Sequence, residues 1–335
     1  MKYVYKFFFV ISILGVLSIF FMSVFHVCSM DRFSKSNYYL KSPASHFFAK
    51  NQNEFSVAVL SDTGAENHVL EQVIDDIRKS DENYSFMLYL GDFITHTSSL
   101  GQYWLLDEIK KHVGNMPLYA VPGNHDVFKK HKYDVHPYRN VMGNTYYWFS
   151  YGNVLFIALD NSSRNIDDEQ FEWLEDTLKK IRPMFNNCVI YSHIPPIIKK
   201  GISNDKLDVL TKNKLENVLK KYKVDVMLFG HVHYFEKNNF AGVPFYTTPS
   251  SGQVIRDENI KKYGYISLSF DKKGVKKVEP KYIDFKNDNK REQIEYWYAR
   301  DILGSSVYHV IRYLFFVTLF TTFIGSIFYV LNKRK

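Results

Sequence analysis

Cysteine is almost missing from this chain: there are two in 335 residues, Cys28 and Cys188. That excludes a disulfide-stapled scaffold and a cysteine-based zinc finger. Cys188 opens an apolar run and reads as a buried apolar side chain rather than a reactive thiol. Acidic residues are missing from both ends. Residues 1–26 carry Lys2 and Lys6 and no acid, and residues 307–335 carry Arg312, Lys333, Arg334 and Lys335 and no acid. The formal charge of +8 therefore belongs to the tails: of 43 basic residues, 37 remain in 27–306, against 35 acidic ones. A nearly neutral body has no need of a polyanion partner, and no nucleic acid is expected. Internal repeats and low-complexity tracts are lacking too. What is present is apolar: 46% of residues are hydrophobic and 17% aromatic, which excludes global disorder. The length suits one large α/β domain or two modest ones.

Each end holds a run of 19 residues without a charge, 7–25 and 313–331. A bilayer core of ~30 Å takes about 20 such residues as helix, so both runs read as membrane spans. Residues 26–30 offer no small-x-small cleavage site, which favours an uncleaved anchor over a signal peptide. The flanking positive charges place both termini in the cytoplasm and 27–306 on the outer face, periplasmic, extracellular or lumenal. The expected organisation is an anchor at 1–30, a linker at 31–53, a main folded domain at 54–290, a juxtamembrane segment at 291–306, and a transmembrane helix with a basic tail at 307–335. In a lumen, Asn83-Tyr84-Ser85 and Asn161-Ser162-Ser163 would be glycosylation acceptors.

The middle of the chain repeats one pattern. Apolar runs at 55–60, 86–90, 116–121, 154–159, 188–192 and 224–229 read as buried strands. Each ends in a loop rich in Asp, Gly, Asn or His. Helical patterns at 68–79 and 167–181 lie between some of them, the second with acids in its first turn and lysines in its last. Later strands at 245–248, 263–270 and 275–284 run without helices between them, which suggests a second sheet packed on the first. The expected fold is α/β, a four-layer α/β/β/α sandwich flanked by N- and C-terminal transmembrane helices.

Loops at the C-terminal ends of strands are where α/β proteins place their sites. Here they carry Asp62, Asp92, Asn124, His125, Asp126, His193, His231 and His233. Alone, each has a plainer reading: an Asp as helix N-cap, an Asn as turn residue, a His as core residue. Together they are carboxylate, amide and imidazole donors that suit Mn²⁺, Fe, Zn²⁺ or Mg²⁺ rather than copper(I). A carboxylate can bridge two such ions, and an ion pair can clamp both oxygens of an in-line phosphoryl displacement.

Asp62-x-Gly64, Gly91-Asp92, Gly123-Asn124-His125-Asp126, His193 and Gly230-His231-x-His233, in this order and on strand ends, resemble the calcineurin-like metallophosphoesterase superfamily. The resemblance covers about residues 55–285. It implies that Asp62 and His233 bind a first metal, that Asp92 bridges, and that Asn124, His193 and His231 bind a second. His125, paired with Asp126, would contact the phosphate and protonate the leaving oxygen, which suits a group that titrates near neutral pH. The chain departs from the family at Gly64, where the usual motif has a metal-binding histidine. Purple acid phosphatases also have Asp-x-Gly but add a tyrosine at the place of Thr95. His96 is one candidate for the missing ligand; His68, Thr95 and water are the others. Gly91-Asp92-Phe93-Ile94-Thr95-His96-Thr97 does not resemble the Gly-Asp-x-Val-Asp-Arg-Gly of Ser/Thr protein phosphatases.

The expectation is a membrane-anchored phosphoric ester hydrolase with two divalent ions, attacking phosphomonoesters or phosphodiesters by metal-bound hydroxide. Its partners would be a phosphoester substrate and the bilayer, with lipid-linked phosphates favoured because the anchors raise their local concentration. The other expectation is a tethered binding or scaffolding protein that keeps the fold with weakened catalysis. Gly64 is the residue that speaks for it.

Overall fold

The computed structural model describes residues 46–48, 54–64, 67–94, 116–127, 134–199, 206–257 and 259–285, and the isolated positions 316 and 320. The apolar run 7–25, the rest of the run 313–331, and His96 and Thr95 lie outside the described residues. Among the described residues no helix is long and apolar enough to cross a membrane.

The chain runs β1 (His46–Phe48), β2 (Phe55–Leu60), α1 (Asn67–Lys79), β3 (Tyr84–Tyr89), β4 (Leu118–Ala120), α2 (His136–Met142), β5 (Tyr147–Tyr151), β6 (Val154–Ala158) and α3 (Asp168–Lys180). It continues with β7 (Asn187–Tyr191), α4 (Val209–Lys221), β8 (Val226–Phe229), β9 (Glu236–Phe240), β10 (Val243–Thr247), β11 (Gly264–Asp271) and β12 (Gly274–Tyr282). Local chemistry sets the helix ends. Asp167 caps α3 by accepting from the Gln170 N–H at 2.8 Å, and Asp208 caps α4 by accepting from the Thr211 N–H at 2.8 Å. A cap of this kind stabilises by about 1 kcal/mol.

Two mixed sheets result. One has seven strands in the order β1-β5-β6-β7-β8-β10-β9, the other five in the order β12-β11-β2-β3-β4. Helix α1 connects the parallel pair β2 and β3, while α3 connects β6 and β7 and α4 connects β7 and β8. Strand alternation divides the core into three slabs. Val57, Val59, Phe86 and Leu88 face Phe149, Phe156, Val189 and Leu228 between the sheets. Ala58, Leu60, Met87 and Tyr89 turn outward under α1 residues such as Val73 and Ile77. Ile157, Ile190 and Met227 turn outward under Leu174 of α3 and Leu215 of α4. The expected α/β/β/α layering is met. Aromatic rings fill much of the space between the sheets, where Phe86 meets Phe149 edge-on at 5.5 Å and Tyr119 stacks on Phe149 at 3.9 Å. Such pairs add about 0.5–1.5 kcal/mol each beyond area burial.

The structure corrects three expectations. The late strands do not make a sheet of their own: β10 joins the seven-stranded sheet beside β8, and β11 pairs antiparallel with β2. Residues 31–53 are not all linker, because His46–Phe48 pairs in parallel with Phe149–Tyr151. Three residues are too short to show a period, so the strand is invisible in the sequence. Asn161 is 1% exposed, with Nδ2 donating to the Ile194 carbonyl, so it offers no accessible glycan acceptor in the folded domain. Cys188 is buried as expected, and burial pushes its thiol up to about 12.

Candidate metal centre

The parallel strands of both sheets end on the same side of the sandwich. Asp62 follows β2, Asp92 follows β3, and Asn124, His125 and Asp126 follow β4. From the other sheet, His193 follows β7, and His231 and His233 follow β8. The sheets meet through a hydrogen bond from the His231 N–H to Asp62 Oδ2, at 2.9 Å. The loops are strained into place. Asp62, Asp92, His231 and His233 all have positive φ, at 56°, 57°, 72° and 62°. For residues with a Cβ this costs about 1–2 kcal/mol each, so the surrounding fold must over-determine it. Gly123 explains the glycine of its motif: a Cβ there would lie 2.2 Å from both the backbone nitrogen and Oδ1 of Asp92.

All of the expected ligand side chains that the structure describes are buried and gathered here. His193 Nε2 lies 3.1 Å from Asn124 Oδ1, 3.2 Å from His231 Nδ1 and 3.3 Å from Asp92 Oδ2. His233 Nε2 lies 3.3 Å from Asp62 Oδ1. Ligand atoms held at 2.0–2.2 Å from one ion stand roughly 3–3.5 Å from each other, so these spacings suit shared ions. Ring tautomers agree. His193 Nδ1 is 2.6 Å from the Leu90 carbonyl and His233 Nδ1 is 2.7 Å from the Val254 carbonyl. Each Nδ1–H donates to a carbonyl, which turns the Nε2 lone pair inward. The centre is thus a meeting of acceptors. Asp62 Oδ1 is buried without a hydrogen-bond partner, and its neighbour at 3.3 Å is an imidazole nitrogen. A buried acceptor left so costs about 1–3 kcal/mol unless a cation satisfies it. The donor set fits divalent metal ions.

The electrostatics point the same way. Burial disfavours the charged form of His193, but the adjacent Asp92 carboxylate outweighs it and pushes the imidazole up to about 9. Burial also opposes the charge on Asp92, yet His193 and His125 hold its carboxyl well below the usual range. The site's field favours positive charge.

His125 and Asp126 sit differently. The His125 side chain is 40% exposed at the mouth, with Nε2 4.0 Å from Asp92 Oδ2. Its backbone N–H donates to Asp92 Oδ1 at 2.8 Å. The Asp126 carboxylate accepts from the backbone N–H of Asp92 and of Gly123, both at 2.8 Å, and of Phe93 at 3.0 Å. Asp126 thereby ties the β3 and β4 loops together. Burial and the Asp92 charge push its carboxyl well above the usual range.

Two residues escaped the sequence reading. Asn161 Oδ1 accepts from the N–H of His193 at 3.2 Å and of Ile194 at 3.0 Å, and its Nδ2 donates to the Ile194 carbonyl at 2.7 Å. It fixes the loop that carries His193. Gln253, after β10, has its backbone N–H on the Asp62 carbonyl at 2.8 Å. Both stand on strand-end loops, which is the signal that would have found them.

Comparison with known proteins follows the same loops. A probable cyclic nucleotide phosphodiesterase of Vesicomyosocius okutanii is 26% identical over 212 residues, 61% of this chain and 86% of that protein. Purple acid phosphatase 15 of Arabidopsis thaliana is 27% identical over 141 residues, 37% of this chain and 26% of that protein. The probable glycerophosphodiester phosphodiesterase GpdQ of Arcobacter nitrofigilis is 28% identical over 165 residues, 44% of this chain and 56% of that protein. The chain thus spans most of the first relative, about a quarter of the second and just over half of the third. The model of the calcineurin-like phosphoesterase family matches residues 55–235. Since that match takes in more than half of the chain and every loop from Asp62 to His233, the chain belongs to the calcineurin-like phosphoesterase family and is a metal-dependent phosphoric ester hydrolase.

Proposed function

We propose that this chain is a two-metal phosphodiesterase held at a membrane by its two apolar ends. The observation that carries the metal reading is the crowd of inward acceptors: Asp92, Asn124, His193 and His231 on one side, Asp62 and His233 on the other. Divalent cations held there would supply the charge that activates a water molecule and steadies the phosphoryl oxygens.

The chain's own residues do the rest. His193 and His233 present Nε2 because their Nδ1–H groups are tied to carbonyls. Asp92, 3.3 Å from His193 Nε2, would be the carboxylate that two ions share. Asp126 keeps the Asp92 and Gly123 loops in register and acts through them, as a positioning residue. His125, at the mouth, holds a proton at Nε2 for the leaving oxygen. The diester preference is supported by the likeness to the Vesicomyosocius and Arcobacter phosphodiesterases; the likeness to the purple acid phosphatase speaks for monoesters. The charge-free runs 7–25 and 313–331 and their basic flanks support the anchoring, with both termini cytoplasmic and the hydrolase domain on the outer face. A lipid-head-group phosphodiester is the substrate this placement favours.

The test uses the full chain in detergent, with Mn²⁺, Zn²⁺, Fe²⁺ or Mg²⁺ added after chelation. Bis-p-nitrophenyl phosphate should be hydrolysed faster than p-nitrophenyl phosphate, and Asp92→Asn should abolish both. A preference for the monoester overturns the diester assignment. No turnover with any ion overturns the reading as a whole. Release from membranes by alkaline carbonate would remove the anchors from it.

A further inference from the structure

The departure at Gly64 has a structural counterpart. The loop after β10 lies along the loop after β2: the Ser251 N–H donates to the Ser61 carbonyl at 3.0 Å, and the Gln253 N–H to the Asp62 carbonyl at 2.8 Å. One residue on, the Val254 carbonyl receives His233 Nδ1–H at 2.7 Å. Gln253 is therefore held between the backbone of Asp62 and the imidazole of His233, the two groups assigned to the first metal. Its side chain fills the space that a side chain at 64 would need. A Cβ on Gly64 would lie 2.4 Å from Gln253 Cγ, 2.9 Å from Nε2 and 3.0 Å from Cδ. Gly64 also has φ +55°, so a side chain there meets both a strained backbone and an occupied volume.

The amide end of Gln253 is as notable as its place. Nε2 is buried and makes no hydrogen bond, and the same is true of Asp62 Oδ1. These atoms belong to the two loops that the backbone bonds zip together. Turning the amide by 180° about its last bond exchanges Nε2 for Oε1, a change of no steric consequence. An amide oxygen is an ordinary ligand for hard divalent cations. A cation taken by both Asp62 Oδ1 and Gln253 Oε1 would satisfy the two buried positions that lack a partner.

We propose that Gln253 binds the first metal through its amide oxygen, in place of the histidine that Gly64 cannot supply. The inference rests on the two-metal reading above. It also accounts for the pairing of glycine at 64 with a long amide at 253: the second occupies the room left by the first.

Calorimetric titration of the chelated full chain with Mn²⁺ alone, with Mn²⁺ electron paramagnetic resonance to count coupled ions, tests it without turnover. The wild type should take up two ions. Gln253→Ala should weaken one of them by on the order of tenfold or more, the scale of loss seen even for outer-shell partners, and leave the other unchanged. Gln253→Glu keeps the shape, offers a carboxylate oxygen and should bind that ion at least as tightly as wild type. Gly64→His alone should weaken the ion, because Gln253 stands in its way, and Gly64→His with Gln253→Ala should recover it. Two ions with wild-type affinities in both Gln253 variants overturn the inference alone, as does loss of the ion in His96→Ala with Gln253→Ala unaffected. A wild type that takes up no second ion overturns the two-metal reading and this inference with it.

Discussion

On the Asp92 side of the centre, His193 Nε2 has three ligand-type atoms within 3.1–3.3 Å, drawn from the loops after β3, β4 and β8. On the Asp62 side, among the described residues, one such spacing stands out, His233 Nε2 to Asp62 Oδ1 at 3.3 Å, and that oxygen is otherwise unpartnered. Both sides use the same devices: strand-end loops, left-handed backbone, a histidine whose Nδ1–H is fixed by a carbonyl. They differ in how many loops reach in. The Asp92 side is closed by motif residues, while the Asp62 side needs a third loop, after β10, that carries no familiar motif. A metal centre can thus be complete in ligands on one side and borrow on the other. The borrowed side should be the one whose ion exchanges more readily.

That comparison can be broken at several points. If Asp92 serves both sides, as proposed, Asp92→Asn should cost the most, lowering turnover of bis-p-nitrophenyl phosphate by on the order of 10³-fold. A loss confined to one ion, with turnover kept, would show that the sides are not joined through it. His125 belongs to neither side. His125→Gln should lower kcat by about 10²-fold on diesters with alkoxide leaving groups and far less on p-nitrophenyl esters, whose leaving group needs no acid. Mn²⁺ content should be unchanged, and equal losses on both kinds of ester would refute the proton role.

Chelation comes next. Each ion present at 100 times its Kd stabilises by about 2.7 kcal/mol, so stripping both, about 5.4 kcal/mol, should lower Tm by roughly 11–22 °C. Stepwise chelation should remove the Asp62-side ion first, in two resolved steps; one step would erase the distinction drawn here. Asn161→Ala frees the His193 loop and should weaken the Asp92-side ion by about 10- to 100-fold while sparing the other, as read by Mn²⁺ titration.

The smallest effect is a control remote from both sides. Burial works against the ionised Glu82, but the Lys281 ammonium at 2.8 Å and the Ser267 hydroxyl outweigh it and hold its pKa below the usual range. A carboxylate whose folded pKa is lowered stabilises above its unfolded value, and the gain is lost as pH falls through the folded one. The Tm gap between Glu82→Gln and wild type should be full at pH 7 and begin to close below about pH 4.5. Ion affinities should not move; a change would mean that the centre is coupled to the far end of the sandwich.

Much of the centre was legible because strand-end loops with Asp, Asn and His advertise themselves one by one. Six apolar runs were placed within a few residues of β2, β3, β4, β6, β7 and β8. The misses have physical causes. Strand β1 is too short, at three residues, to show a period, and β9, Glu236–Phe240, is largely polar with side chains half out of the core and has no apolar signature. Which sheet a strand joins depends on partners far away in sequence: β11 pairs with β2 across some two hundred residues. That the oxygens of Asp126 also accept from the amides of the loop after β3 cannot be read from adjacent letters.

The sequence by itself determined the candidate metal-binding loops, the α/β class and the layer count. Those follow from side-chain chemistry and from apolar periodicity, both of which are local. The tertiary structure decided which loops meet. It set Asn161 behind His193 and laid Gln253 in the space above Gly64, because close approach of backbones from different strands is a property of the packed sheets and of no single segment. A glycine that looked like a missing ligand is, in three dimensions, the room another side chain occupies.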